Sequence, residues 1–241
     1  MRFALGLKGE ALGFVSAVFF LAVCFGVPLG ALAWCLLRER KLTGVFFLGV
    51  ASFLVSQVLL RLPLLEALGN TAWFAVFSAT QPMLYILALA ASAALFEETA
   101  RFLLLRPQRT RAFDLRVPLV FGIGHGGLEA LLTGAGVAPL LFASPEQAGL
   151  LGGALFVSGF ERLSAMACHV AFTFLVYYAV MRRKPAAFGL ALLLHCLVDV
   201  GAGLASTALI PLFLFELLLA VFAVAQLWLV FKFVSKRKDS I

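Results

Sequence analysis

PMLYILALAASAALFEETARFLLL, residues 82–105, is apolar over a length that crosses a bilayer, yet its second half carries Glu97, Glu98 and Arg101. About 20 helical residues span the hydrocarbon, so these three charges fall at membrane depth. Ionisable groups there are costly and are read as functional by default. This segment therefore decides the fold and sets the question for the rest of the chain: which residues meet the two glutamates, and at what height.

The composition around it agrees. Of the 241 residues 63% are hydrophobic and 13% charged, which excludes a water-soluble domain hiding its apolar surface in one core and leaves a polytopic protein whose surroundings are the lipid bilayer. The net charge of +7 does not point to nucleic acid. Lys and Arg stand in short clusters between apolar runs, where they orient helices and meet anionic headgroups. Cys24, Cys35, Cys168 and Cys196 lie inside apolar runs with no CxxC pair, so neither a disulfide frame nor a structural zinc site is expected.

Seven runs reach spanning length: 11–37, 42–60, 82–105, 117–133, 159–181, 186–206 and 211–234. The bilayer core offers no water to unpaired backbone groups, so an all-α transmembrane bundle follows. Arg38-Glu39-Arg40-Lys41 stops the first run, which is too long for a signal-peptide core and reads as a retained helix. With seven spans, fourteen of the nineteen basic residues gather on one side. The N-terminus is then expected outside and the C-terminus in the cytoplasm, with Arg2 and Lys8 weighing the other way. Residues 61–81 read as an outside loop with a short amphipathic piece. Residues 134–158, interrupted by Gly134, Gly136, Pro139, Ser144-Pro145, Gly149 and Gly152-Gly153, read as a re-entrant or interfacial segment. No repeat or soluble domain is visible, so residues 1–241 form one integral-membrane domain, with a motif-bearing core over 82–206. A bacterial or archaeal cytoplasmic membrane is the expected location.

All three histidines, His125, His169 and His195, fall inside spans, each on a different helix. Counted from the basic end of each helix, Glu97, Glu98 and the three imidazoles sit roughly 10 to 18 Å deep at 1.5 Å per residue. Four helices thus bring ionisable groups to one layer, which independently scattered core histidines would have no reason to do. His125 and Glu129, like His195 and Asp199, are four apart and share a helix face, so each carboxylate is expected to orient its own histidine. The glycines of Phe121-Gly122-Ile123-Gly124-His125-Gly126-Gly127 suit close helix approach or local unwinding around a substrate. Arg101 can pair with Glu97 or Glu98. As a salt-bridged staple the triplet is structural; beside three histidines of matching height it reads as a site, with carboxylates accepting protons and imidazoles donating them or stabilising an oxyanion. Glu161-Arg162 reads as an interfacial ion pair, Glu216 as a group that snorkels or faces the outer interface, and Tyr177, Tyr178, Trp34 and Trp228 as interfacial anchors.

With these residues placed, the chain resembles a known superfamily. Glu97-Glu98-x-x-Arg101, Phe121-x-x-x-His125 and His195-x-x-x-Asp199 look like the three signature motifs of the glutamate-dependent intramembrane proteases. That superfamily includes the CAAX-prenyl and bacteriocin-processing enzymes, the PrsW proteases, the YhfC family and the APH subunit of gamma-secretase. The Gly-His-Gly-Gly-Leu-Glu stretch, Glu161-Arg162 followed by His169, and the seven spans look most like the YhfC family. The two residues between the glutamate pair and Arg101 are closer to PrsW-like members than to the prenyl proteases, and a prenylated substrate is not implied.

The expected function is therefore an intramembrane endopeptidase of the glutamic type acting on a membrane-embedded peptide. Glu97, or failing that Glu98, activates water. His125 and His195 stabilise the oxyanion or share proton transfer, His169 completes the polar wall, and Arg101, Glu129 and Asp199 orient these groups. No HExxH motif is present, so no cofactor is expected, with zinc at Glu97, His125, His169 and His195 as the alternative. The rivals are a non-catalytic membrane scaffold like the APH subunit and a proton-coupled transporter.

Overall fold

A computed structural model describes the backbone of residues 2–143 and 145–236 and the side chains of residues 12–142 and 151–236. It is all-helical among the described residues, with seven helices long and apolar enough to cross a membrane. These are α1 (Leu12–Arg38), α2 (Arg40–Gly69), α3 (Pro82–Thr110), α4 (Arg116–Phe142), α5 (Leu151–Arg182), α6 (Pro185–Ser206) and α7 (Leu212–Lys236). They alternate in direction. The turns carrying Arg38 to Lys41, Arg106 to Arg116 and Arg182 to Lys184 share one face of the bundle with Lys232 and Lys236. Arg2, Lys8, Arg237 and Lys238, which entered the orientation count, lie outside the residues whose side chains are described.

Two spans run beyond their apolar limits. The second continues to Gly69, taking in much of the expected loop, and Ala72–Thr80 adds a short helix before α3. The fourth continues through Gly134, Gly136 and Pro139 to Phe142 instead of breaking into a re-entrant segment. Gly134 is a packing residue there: a Cβ on it would come within 2.7 Å of Cys24 Cβ. Backbone helix resumes at Pro145 and bends at Gly152 (φ 7°, ψ −95°), so the glycine cluster is spent on a bend within helix. Ser144 lies outside the described residues.

In lipid the hydrophobic effect does not drive helices together, and close backbone approach does much of the work. The glycines of α4 supply it on three sides. A Cβ at Gly124 would lie 2.3 Å from the Phe46 carbonyl oxygen of α2, at Gly122 2.6 Å from Val170 Cα of α5, and at Gly127 2.7 Å from Pro28 Cβ of α1. Of the two roles open to these glycines, the continuous helix shows packing. The central element is α5, whose residues from Met166 to Val180 are almost all buried and which packs against α1, α3, α4, α6 and α7. Tyr177 and Tyr178 are part of that core and not interfacial anchors. Tyr177 is fully buried, and its hydroxyl accepts the Asp114 backbone N–H at 3.0 Å. Trp34 and Trp228 do face outward, among exposed Leu37, Phe213 and Val224, as a lipid-facing surface requires. The four cysteines are free thiols.

Candidate active site

The site begins at Glu97 on α3, whose backbone is regular helix from Pro82 to Leu105. Adjacent residues on a helix point about 100° apart, and the two glutamates diverge accordingly. Glu97 Oε2 faces three imidazoles from three helices: His125 Nε2 of α4 at 2.8 Å, His195 Nε2 of α6 at 3.8 Å and His169 Nδ1 of α5 at 3.9 Å. Glu98 turns aside and accepts from His195 Nδ1 at 2.6 Å. Arg101, 0% exposed, pairs with Glu98, donates to Glu97 Oε2 at 3.3 Å and meets His169 Nδ1 at 2.6 Å. The layer anticipated by counting along four helices is thus a contact cluster.

The hydrogen-bond network assigns the tautomers. A guanidinium only donates, so His169 Nδ1 offers its lone pair inward and Nε2–H donates outward to Glu129 Oε2 at 2.7 Å. His195 donates Nδ1–H to Glu98 and turns Nε2 inward. Its ring stacks on Phe172 at 4.9 Å and 12°. His125 turns Nε2 inward and stands edge-on to Phe53, while its buried Nδ1 has no hydrogen-bond partner among the described residues.

Two expected pairings are exchanged. Glu129 holds His169, not its own helix neighbour His125. The reason is Gly126, where a Cβ would come within 2.9 Å of His169 Cδ2: the missing side chain lets α5 press its imidazole onto α4 and reach Glu129. Asp199 Oδ2 lies 3.7 Å from His195 Nε2, beyond hydrogen-bond length, and Glu98 takes the orienting role instead. Asp199 lines the cavity beside the cluster.

Sequence reasoning missed three residues. Gln57 donates to Glu97 Oε1 at 2.5 Å. Arg61, assigned to a loop, donates to Gln57 Oε1 at 3.0 Å, Ser92 Oγ at 3.1 Å and the Leu89 carbonyl at 2.7 Å. Both stand on Leu54–Arg61, a π-helical turn of α2, a form that recurs at functional sites. The only signal was a pair of polar residues, four apart, at the end of an apolar run. Arg162 is the third. It binds Glu161 and also donates to Glu129 Oε1 at 2.8 Å, so the supposed interfacial pair is tied to the histidine cluster. Replacing Gln57 by Leu removes the donor that holds Glu97 Oε1. A hydrogen bond to a charged group contributes about 1.5–3 kcal/mol, so the turnover number should fall roughly tenfold or more with little change in KM. Steady-state hydrolysis of a membrane-embedded peptide checks this, and a wild-type rate would show that Glu97 is oriented without Gln57.

A cavity of about 810 Å³ joins the cluster to the bundle face opposite the basic turns. Glu97, His169 and His195 line its floor, Phe53, Ile86, Phe172 and Leu219 its apolar walls, and exposed Pro82, Ser206 and Thr207 its rim. The buried centre is therefore connected to exposed residues at the ends of α3 and α6.

The donor set can be tested against a metal. Ligand atoms of Glu97, His125 and His169 all lie within 4.8 Å of one another. The inward nitrogens stand 2.8, 3.8 and 3.9 Å from Glu97 Oε2, around the roughly 3.3 Å between neighbouring ligands that tetrahedral zinc at 2.0–2.1 Å requires. Glu129 and Glu98 already fix two of the rings through their other nitrogens, as carboxylates behind metal-bound histidines do. Such an ion would displace Arg101 from His169 Nδ1 and Glu97 Oε2, and the proton that His125 Nε2 shares with Glu97 Oε2. The residues fit.

Seven spanning helices around a buried carboxylate and imidazole centre, reached by a cavity, define an integral membrane protein with a hydrolase-like site. The family model described as YhfC intramembrane metalloprotease matches residues 23–144 and 146–223, and the chain belongs to that family. It is an intramembrane protease on that ground. A similar protein is the "uncharacterized membrane protein YhfC" of Bacillus subtilis (strain 168), 28% identical over 228 residues that cover 78% of this chain and 84% of the relative. No solved structure matches. The expectation of metal-independent chemistry finds no support in the family description, which says metalloprotease.

Proposed function

We propose that the chain is a metal-dependent intramembrane endopeptidase whose centre is Glu97, His125, His169 and His195. The observation that carries this reading is the convergence of three inward imidazole nitrogens on one glutamate oxygen at the floor of a water-accessible cavity. Glu97, His125 and His169 would hold the ion, with His195 beside them, and zinc suits their nitrogen and oxygen donors. When bound, such an ion polarises a peptide carbonyl and makes water a nucleophile at neutral pH.

The remaining residues bind, orient and move protons. Gln57 fixes one oxygen of Glu97 so that the other faces the imidazoles. Glu98 and Glu129 accept from the outer ring nitrogens of His195 and His169 and so turn the other nitrogen of each ring toward Glu97, and Arg101 balances the carboxylates. Asp199 faces the cavity and is suited to accept a proton from attacking water and return it to the leaving amine. The apolar walls around Phe53, Ile86 and Leu219 take the side chains of a peptide unwound from a membrane helix, while the cavity supplies water. The likeness to PrsW proteases and to the APH subunit rests on the three motifs alone.

Purified protein should contain about one zinc per chain. Treatment with a strong chelator should remove both metal and proteolysis, and added zinc should restore both. His169→Ala should not retain the metal. Full activity with no metal bound would return the chemistry to Glu97 acting on water alone.

The same reading treats the chain as one domain, because α2 to α6 all supply residues to the centre. With the basic turns in the cytoplasm, the cavity opens outward and the C-terminus lies inside. A reporter fused after Ile241 should be active only in its cytoplasmic form, and an extracytoplasmic signal would invert the bundle.

A further inference from the structure

A second cavity, of about 520 Å³, lies between the first turns of α5, the end of α6 and the start of α7. Its walls are small or apolar, with Ala154, Val157, Ala202 and Leu212 among them, and Phe213 beside it is 73% exposed on the lipid-facing surface. It is continuous in lining with the catalytic cavity: Glu161, Ala202, Ser206 and Phe215 border both. Phe215 is 8% exposed, and its ring rests against Gly201, where a Cβ would come within 2.9 Å of Cε2. The ring thus borders both the groove and the cavity that leads to Glu97.

The two charged residues bordering the groove are Glu161 and Glu216. Arg162 neutralises Glu161. Glu216, only partly exposed on α7, makes no hydrogen bond or ion pair among the described residues, and its Oε2 is buried without a partner. Such an oxygen is costly in an apolar setting, and an unpaired carboxylate inside a spanning helix favours a cationic partner. Glu216, expected to snorkel or to face the outer interface, borders a groove beside the site.

Resting on the protease reading above, we propose that this groove is the lateral docking site for the substrate. The occupant is an apolar transmembrane segment bearing a Lys or Arg about one turn from the end level with Pro82 and Ser206. Its cation meets Glu216, its apolar face lies along α5 and α7, and displacement of the Phe215 ring admits the unwound chain to Glu97. Charge complementarity selects this occupant over a lipid acyl chain, which would fill the groove and leave Glu216 unpaired.

The test uses a fluorescent 20-residue Leu/Ala helical peptide with one Lys four residues from one end, and a twin carrying Met in place of Lys, added to the full chain in lipid nanodiscs. Binding is read by anisotropy on mixing. The Lys peptide should bind wild type roughly tenfold more tightly than the Met peptide, the magnitude of one partly desolvated charge pair. In Glu216→Gln that ratio should fall to about one with Met-peptide binding unchanged. Ala154→Trp, which fills the groove and leaves Glu216 in place, should weaken both peptides. Equal binding of the two peptides to wild type, as for a groove that takes only acyl chains, overturns the proposal. So does a ratio that survives Glu216→Gln, or binding indifferent to Ala154→Trp. The readout needs no cleavage, so an inactive chain that keeps the ratio sinks the protease reading alone.

Discussion

Glu97→Gln should lower hydrolysis of a membrane-embedded peptide by about 10²–10⁴-fold, the range for loss of a positioned acid or base, and should lower zinc content as well. The substitution keeps the shape of the side chain. The amide oxygen can still accept from Gln57 or His125, and Arg101 keeps Glu98. The helix and its packing should therefore survive, and the missing quantity is the charge at Oε2 on which His125, His169 and His195 converge. Paired measurements of rate and metal content by mass spectrometry decide between the mechanisms. Loss of both marks Glu97 as a ligand, loss of rate alone marks it as the base, and loss of neither shows that hydrolysis does not depend on Glu97. Glu98→Gln is the comparison variant. It perturbs the bond to His195 Nδ1 but no inward oxygen, so its effect on metal content should be the smaller.

Much of this arrangement can be read from the sequence because helix rise is constant. A residue's depth follows from counting along an apolar run, and that count alone brings Glu97, His125, His169 and His195 to one height. Rotation about each helix axis cannot be counted in this way. The i, i+4 spacing correctly puts His125 and Glu129 on neighbouring parts of one face, but it does not say which element arrives between them. Gly126 decides that by admitting His169, and Glu129 leaves its own neighbour for the visitor. Gln57 and Arg61 stay hidden for a related reason. They sit where α2 takes a π-helical turn, which shifts the register of every following side chain toward α3, and periodicity at 3.6 residues assigns them to the wrong side or to a loop. The span ends fail where Gly and Pro are read by their habits in water. Inside a bundle, Gly134 is a contact surface and Pro139 remains within helix.

Arg101→Leu should be the most destabilising single change in the centre, lowering unfolding free energy by about 3–5 kcal/mol, the usual consequence of removing one partner from a buried ion pair. The guanidinium is fully buried, pairs with Glu98, donates to Glu97 and touches His169 Nδ1. Its loss leaves two carboxylates on adjacent residues with histidines and Gln57 as their remaining partners. The effect should appear as an earlier transition in mixed detergent and sodium dodecyl sulfate micelles. It need not follow activity, since His169 Nδ1 is freed at the same time for a metal. The cause is electrostatic and not mainly a packing defect, because Leu replaces the apolar arginine stem and leaves out only the guanidinium, whose carbon lies 5.9 Å from the Phe172 ring centroid. Adding Glu98→Gln to Arg101→Leu removes the charge left without its partner and should recover a large part of the loss, although Glu98→Gln alone destabilises. Double-variant stability no better than the single would assign the effect to packing around Phe172. Recovery above the single variant would show that Glu98 and Arg101 are held in the membrane chiefly by each other, leaving Glu97 to face the imidazoles.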